Sequence, residues 1–528
     1  MTSTNGNGNG HGESGANRAS IRDPELDRAR LRAMHEALTG GDVPTAGKLA
    51  EDALGDGIDH PMVLNLVAGR REAEGRLDEA LALLGRALAA APEAIGVMNA
   101  IGLCLSRMGR FEEAVEAFGG AVAKAPDFAP ALANRGAALL ALGRNDEARA
   151  DFEASRAADP ANLIAADGLA ALALGDGDAA AARTLAGQVL AREPGWPSAV
   201  LTLAGADLAE ARAAEAEAAL AALLADARLS PVDRALATGL RGDALEGLGR
   251  HGEAFAAWRE SNGLQAELHA PRFAGRPTTL ALVRDLTGAL AGRRVPAAWG
   301  HGGRSPAKRH VFLVGFPGSG TAAVERALAA HPEVATLADK EALIDSARDW
   351  LADADRFARF CDLEDEALET YREAYWRRVA EEGVDPAGKV FVDRHAFNLF
   401  KLPLIARLFP DARVLVAGRD PRDAVLEAFR ARWRMTDPAW QLLTLEGAAA
   451  LYAATLAMVE ASEEAFGLFT HRLEREALRA DADAELKALT AFVGLPWDEP
   501  LQGLVAEPDG VGRWRHHAAE IEAAMAGA

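Results

Sequence analysis

Val311-Phe312-Leu313-Val314 is a short apolar run that breaks into Gly315-Phe316-Pro317-Gly318-Ser319-Gly320-Thr321, ahead of a helical pattern reaching Ala330. These residue types suit an anion. A buried strand delivers the loop, glycines let its backbone N–H groups close around a phosphate, and the positive end of the helix faces the same point. Three glycines with Ser319 and Thr321 are more than an ordinary strand-to-helix turn needs. A second run, Phe409 to Asp423, repeats the strand-turn-helix form and sets Arg419 at the strand end. A guanidinium fork there suits a phosphate.

The kind of phosphate ligand is narrowed by what the loop lacks. A Walker A loop needs Lys after Gly320, where Thr321 stands, and this disfavours a kinase or ATPase. The three-glycine spacing and acidic strand end of a dinucleotide loop are not evident either. Instead, Pro317, Ser319, Gly320 and Thr321 resemble the Pro-Lys/Arg-Ser-Gly-Thr loop of the sulfotransferases, which holds 3'-phosphoadenosine 5'-phosphosulfate (PAPS). Gly318 stands where that family carries its basic residue. Arg419 matches the family's 3'-phosphate segment, and Glu427 replaces the Ser expected eight residues on. Asp393, Arg394 and Asn398 resemble its Asp-Lys-x-x-x-Asn strand end, and Ala491 to Trp497 its late helix-to-turn segment. Gly510-Val511-Gly512-Arg513-Trp514-Arg515 is similar to its Gly-x-Gly-x-Trp-Arg segment. The resemblance spans about 220 residues and is nearest to bacterial sulfotransferases that carry tetratricopeptide repeats.

This resemblance implies roles for particular residues. Gly315, Pro317, Gly318, Ser319, Gly320 and Thr321 would hold the 5' end of PAPS, Arg419 and Arg513 its 3'-phosphate, and Trp514 would stack on the nucleotide. Sulfuryl transfer to a hydroxyl also needs a base. Asp339 is the expected base, with Lys340 supplying the charge missing at Gly318; Glu341 is the neighbouring alternative and His331 a lower-ranked one. No metal is expected, because the sequence shows no close ligand spacing of a zinc or calcium site. Glu427 should repel a phosphate unless it turns outward or is paired. The short connection from Trp497 to Gly510 implies a shortened lid over the nucleotide. These departures motivate a competing reading, a non-catalytic sulfotransferase-like scaffold.

The elements that must position these groups fall into two halves. Gly41, Gly75, Gly109, Gly143 and Gly177 recur every 34 residues, in phase with Ala46, Ala80, Ala114, Ala148 and Ala182 and with Pro92, Pro126, Pro160 and Pro194. That is the tetratricopeptide period: helix, glycine turn, a second helix with a small alanine at the contact, then a proline stop. A sixth unit around Ala216 lacks the turn glycine, and Gly249 with Ala254 suggests a further degenerate one. The expected fold is an α-solenoid of about six to seven repeats over 23–267, a linker at 268–308 with a short helix at Leu280–Leu290, and a P-loop-like three-layer α/β domain with a mostly parallel sheet over 309–528.

Residues 1–22 are polar and glycine-rich, and are expected to be a disordered tail without a secretion signal's apolar core. A formal charge of -21 argues against a general binder of nucleic acid or membrane surfaces. The two cysteines, Cys104 and Cys361, lie in different halves and indicate no disulfide framework, so cytoplasm is the expected compartment. A protein or peptide on the repeat surface and a hydroxyl-bearing acceptor are the expected partners.

Overall fold

In the computed structural model of the chain, residues 24–294, 305–496 and 510–528 are described. The expected tail at 1–22, the connection that includes Trp497, and residues 295–304 of the expected linker lie outside them. The described chain divides into two compact units, Met1–Thr202 and Leu203–Ala528.

The first unit is built of antiparallel helix pairs between Pro24 and Arg192. The repeating glycines take the left-handed conformation that ends a first helix: φ is 77° at Gly41, 75° at Gly75, 73° at Gly109, 76° at Gly143 and 85° at Gly177. Each alanine of the 34-residue series, from Ala46 to Ala182, is 0% exposed, so the second helix of each pair lies close against its neighbours. Pro92, Pro126, Pro160 and Pro194 each stand two residues beyond the last residue of the preceding helix. Local geometry therefore accounts for the period.

In the second unit Ala216 keeps the phase, and the following pair, Gly249 and Ala254, comes four residues late. The turn before helix Ala213–Leu224 has Ala211 where the series would place glycine, and Ala211 is left-handed all the same, with φ 59°. A Cβ there meets the following carbonyl, so Ala211→Gly is expected to raise stability by about 0.5–1 kcal/mol. Denaturant midpoints check this; an unchanged midpoint would show that the turn is unstrained.

The sheet of this unit has five strands, β1 (Arg309–Val314), β2 (Val334–Ala338), β3 (Val390–Arg394), β4 (Arg413–Gly418) and β5 (Phe469–Glu474). All neighbours are parallel, in the order β2-β3-β1-β4-β5. Apolar runs such as Val311–Val314 are 0% exposed because helices cover both faces. After β2 the chain returns to lie beside β1, and β4 then adds on the other side of β1. Ligands of open α/β sheets bind beyond the carboxyl ends of the strands, at such a switch point.

Helices Pro231–Gly247, His251–Phe273 and Thr279–Leu290 pack into this same unit. Leu245, Trp258 and Val283 share one buried core with Phe312, Phe391 and Val414. The short helix expected at Leu280–Leu290 is the third of these. The chain is thus a helical-repeat region followed by a domain with a parallel five-stranded sheet. Both cysteines are buried and free, and burial pushes both thiols up to about 11. Among the described residues no helix is long and apolar enough to cross a membrane.

Candidate functional site

The carboxyl edge of the sheet gathers the residues that the sequence singles out. β1 ends at Val314 and delivers Gly315, whose close fit has a simple cause. A Cβ at Gly315 would lie 2.6 Å from the Ala417 carbonyl oxygen and 2.8 Å from the Thr321 methyl. Only glycine lets the loop leave β1 this close to β4. Gly318 and Gly320 are left-handed, with φ of 88° and 87°, and Gly320 caps the helix Thr321–Ala329. The first N–H groups of that helix have no intrahelical acceptor and point out of its end. Ser319 is 4% exposed, and its N–H donates to the Phe316 carbonyl at 2.9 Å.

Beside this helix end is a cavity of about 250 Å3, lined by Ser319, Gly320, Ala322 and Ala323 and by four arginines, Arg326, Arg419, Arg475 and Arg513. Glu427 also lines it. Four guanidinium groups against one carboxylate make this a positive cavity in an acidic chain, and a short-range attraction of this kind works despite the net charge of -21. Arg419 is tied to the loop itself: its Nη1 donates to the Gly318 carbonyl at 3.1 Å, and its Nη2 lies 3.9 Å from Asp423.

The acidic residue at 427 is paired. Its carboxylate accepts from Arg430 at 2.8 and 3.1 Å and from Arg513. Glu427 therefore brings Arg513 to the cavity. Arg430 continues the chain of charges to Asp243, at 2.9 Å, and Asp243 also accepts from Arg432 and from the Trp258 indole. Buried between these partners, Asp243 is held below the usual carboxylate range: the guanidinium groups of Arg430 and Arg432 outweigh the raising effect of burial.

Gly318 has no room for a side chain. A Cβ there would lie 2.8 Å from the Cβ of Glu427, and its φ of 88° is one that side-chain-bearing residues rarely adopt. The positive charge absent from this position is present in the cavity by other routes. Two of these, Arg326 and Arg475, were not picked out from the sequence. Arg326 lies three and four residues beyond Ala323 and Ala322, on the same helix face. Arg475 follows the last residue of β5, an edge strand too polar to read as a buried run.

The C-terminal segment is docked by main-chain bonds. Asp423, 0% exposed, accepts from the Trp514 N–H at 2.9 Å and from the Gly512 N–H at 2.5 Å. Arg513 faces the cavity, whereas the Trp514 ring lies under the Arg422 guanidinium, 3.7 Å away, and is 8% exposed. Arg422 is further bound to Asp420 at 2.6 Å.

Asp339 and Lys340 lie at the end of β2, about 10 Å from the loop by strand count. Asp339 takes a left-handed φ of 55° and receives both Nη groups of Arg394, at 2.9 and 2.7 Å; its side chain is 63% exposed. Lys340 pairs with Glu382 at 2.7 Å and lines a separate cavity with Glu341. Glu341 accepts from Lys401 and lies 3.1 Å from His395 Nε2. His331 caps a turn, accepting from the Glu333 N–H at 3.1 Å, and is 4% exposed. Of the expected loop residues Ser319 and Gly320 line the cavity, whereas Gly315, Pro317, Gly318 and Thr321 shape the loop without lining it, and Trp514 is not among the lining residues either.

Beneath the edge lies a buried polar chain. The Tyr375 hydroxyl bonds Asp393 at 2.8 Å and His310 Nε2 at 2.9 Å, and Asn398 donates to Asp393 at 3.0 Å. Burial pushes the Asp393 carboxyl up to about 7 and brings His310 down to about 3. An unfolded aspartate titrates near ~3.9. A folded value raised to about 7 means that this group's contribution is fully present below the unfolded value and is lost as pH rises toward 7. Asp393→Asn keeps the acceptor for Asn398 and removes the ionisation. The difference in stability between variant and wild type is expected to shift in favour of the variant by about 3–4 kcal/mol between pH 4 and pH 8. Denaturation at both pH values checks it; a constant difference would contradict the assignment.

Comparisons with known proteins agree with the two-part organisation. The model of the Sulfotransferase family matches residues 310–499, and that of the Tetratricopeptide repeat matches residues 72–129. The chain therefore carries tetratricopeptide repeats at its N-terminal side and a sulfotransferase-family domain at its C-terminal side. Among solved structures, a tetratricopeptide repeat protein from Parabacteroides merdae is 16% identical, with 46% of this chain and 93% of that chain covered and a TM-score of 0.35. PilW, a type IV pilus biogenesis factor, is 19% identical over 41% of this chain and 95% of its own, with a TM-score of 0.33. A thermophilic tetratricopeptide protein from Thermus thermophilus is 21% identical over 37% of this chain and 99% of its own, with a TM-score of 0.30. No curated protein matches the chain.

Proposed function

We propose that the sulfotransferase-family domain transfers a sulfuryl group from PAPS to a hydroxyl acceptor, while the tetratricopeptide repeats recruit the acceptor or a partner protein in the cytoplasm. The observation that carries this reading is the convergence of Arg326, Arg419, Arg475 and Arg513 on the helix end behind Gly315–Thr321. A nucleotide with phosphate at both its 3' and 5' positions needs positive groups at two points, and the cavity offers guanidinium groups from four separate elements. The residues present fit the ligand.

PAPS supplies an activated sulfuryl group whose sulfur is attacked by the acceptor oxygen as the bond to the 5'-phosphate breaks. The chain's own part is to bind, to orient and to move a proton. The N–H groups at the start of helix Thr321–Ala329, with Ser319 and Thr321, would hold the 5' end and stabilise the charge that grows on it. Arg419 and Arg513 would hold the 3'-phosphate. Charge developing on the leaving side would be met by Arg326 or Arg475 in place of the side chain that Gly318 cannot carry. Asp339 would accept the hydroxyl proton, on the side of the edge away from β4, and Lys340 would balance charge near it. No metal is needed for such a transfer in principle.

A second reading has one observation in its favour. Asp339 is already held by both Nη groups of Arg394, and Lys340 by Glu382, as in a scaffold that binds nucleotide without turnover. Incubation of the full chain with PAPS labelled in its sulfuryl group, over a panel of phenols, sugars and tyrosine peptides, separates the two. Label on an acceptor, lost in Asp339→Asn while nucleotide affinity persists, is the expected result. Nucleotide binding with no label on any hydroxyl class would favour the scaffold.

A further inference from the structure

The segment that brings Arg513 to the cavity continues into His516 and His517, and these meet the hairpin Pro231–Gly247/His251–Phe273 at a single carboxylate. Glu246 lies 2.7 Å from His251 Nδ1, 3.2 Å from His516 Nδ1 and 3.3 Å from His517 Nε2. One ligand atom from each of Glu246, His251 and His517 lies within 4.8 Å of the others. The His251 and His516 rings stack at 3.8 Å. His517 is 2% exposed and is set by Phe255 and Trp258, with ring centroids 5.6 and 5.4 Å away.

We propose that Glu246, His251 and His517 form a binding site for a divalent transition-metal ion of the zinc class, with His516 at its rim. Three imidazoles are more than one carboxylate needs for charge balance, and a dication accepts a lone pair from each neutral ring and from the carboxylate together. Four-coordinate zinc with bonds of about 2.0–2.1 Å sets its ligand atoms roughly 3.3 Å apart, the separation of His517 from Glu246, whereas His251, at the 2.7 Å of a hydrogen bond, has to draw back slightly to admit the ion. His517 Nε2 is the second indication. It is buried and near Glu246, yet it lacks hydrogen-bond geometry to any partner among the described residues. A nitrogen so placed is aimed into the cluster without being satisfied by it. Imidazole nitrogens with one carboxylate favour zinc, cobalt, nickel or copper over magnesium and calcium.

The site goes beyond sulfuryl transfer and stands or falls separately from it. Its ligands come from the helical hairpin and from the C-terminal segment, so a bound ion ties together two parts of the chain that are far apart in sequence. Arg513 lies three residues before His516 on the segment so fixed. The ion would therefore be structural, holding an arginine of the cavity in place without touching the ligand of that cavity.

The test uses the full chain stripped of metal with a chelator and titrated with zinc against a chromophoric competitor. One equivalent bound by wild type is expected, with affinity lowered at least about tenfold in His251→Ala and in Glu246→Gln. His251 is 31% exposed at the start of its helix, so its variant serves where a change at the buried His517 would unfold the chain; far-UV circular dichroism confirms its fold. Cobalt in place of zinc should give visible d–d absorption of a low-coordinate site, lost in both variants. Failure of wild type to retain zinc in the presence of the competitor would overturn the proposal. So would equal zinc affinity in wild type and His251→Ala, which would assign the ion to other histidines.

Discussion

Asp423→Ala is expected to release the C-terminal segment from the sheet domain, lowering the free energy of its opening by about 3–5 kcal/mol. The carboxylate is 0% exposed and receives the N–H groups of Gly512 and Trp514, with Arg419 also close by. Truncation leaves two donors without their acceptor and takes the counter-charge from a guanidinium that is 7% exposed. Each charge-assisted bond is worth about 1.5–3 kcal/mol, and the loss of one partner from a buried pair leaves the other uncompensated. Amide hydrogen exchange reads this directly. Gly512 and Trp514 should exchange at least about a hundredfold faster in the variant, while β1 and β4 amides keep their protection. Equal exchange in variant and wild type would show that the segment is held by something other than Asp423.

Arg419→Ala is expected to weaken binding of 3'-phosphoadenosine 5'-phosphate by about 1.5–3 kcal/mol, or roughly tenfold to a hundredfold. Arg419 lies between the loop and the end of β4, is 7% exposed on its side chain, and donates to the Gly318 carbonyl. It therefore has two duties. One is to meet a phosphate; the other is to hold the loop in shape. Adenosine 5'-phosphate, which lacks the 3' group, tells them apart. If Arg419 reads the 3'-phosphate, the variant loses most of the preference for the bisphosphate over the monophosphate. If it only shapes the loop, both ligands weaken alike. Arg419→Lys keeps the charge but not the planar fork, and should fall between wild type and alanine.

What could be read from the sequence and what could not differ in the range of the interaction. The 34-residue spacing of Gly41 through Gly177 reports a turn conformation that each residue adopts locally, and φ values of 73° to 85° match it. The loop after β1 is legible for the same reason, because Gly315 and Gly318 answer to atoms within one strand-turn-helix unit and its neighbour. β5 was not legible. As an edge strand it leaves Phe469, Arg472 and Glu474 exposed, so no buried pattern marks it or points to Arg475 at its end.

Long-range pairing was the other obstacle. Glu427, read as a liability to phosphate binding, is bound to Arg430 on its own helix and to Arg513 from the C-terminal segment. The sequence offered pairing only as one of two ways out, and could not name Arg513 as the partner. For Trp514 the resemblance of Gly510–Arg515 to the sulfotransferase segment implies stacking on the nucleotide. Its indole lies under the Arg422 guanidinium, while Asp423 holds the main chain on either side of Arg513 and the 3-10 turn Arg513–His517 fans successive side chains around its axis. The histidines around Glu246 are a third case, since His251 and His517 meet only when the hairpin packs into the sheet domain.

The arginine cavity behind Gly315–Thr321 is proposed to hold a nucleotide carrying phosphate at both the 3' and 5' positions. Calorimetric titration of the wild-type full chain with 3'-phosphoadenosine 5'-phosphate tests it most directly. Saturable binding at one site, at least about tenfold tighter than adenosine 5'-phosphate, is the predicted result. No heat of binding at millimolar ligand, or equal affinity for the two nucleotides, would contradict it.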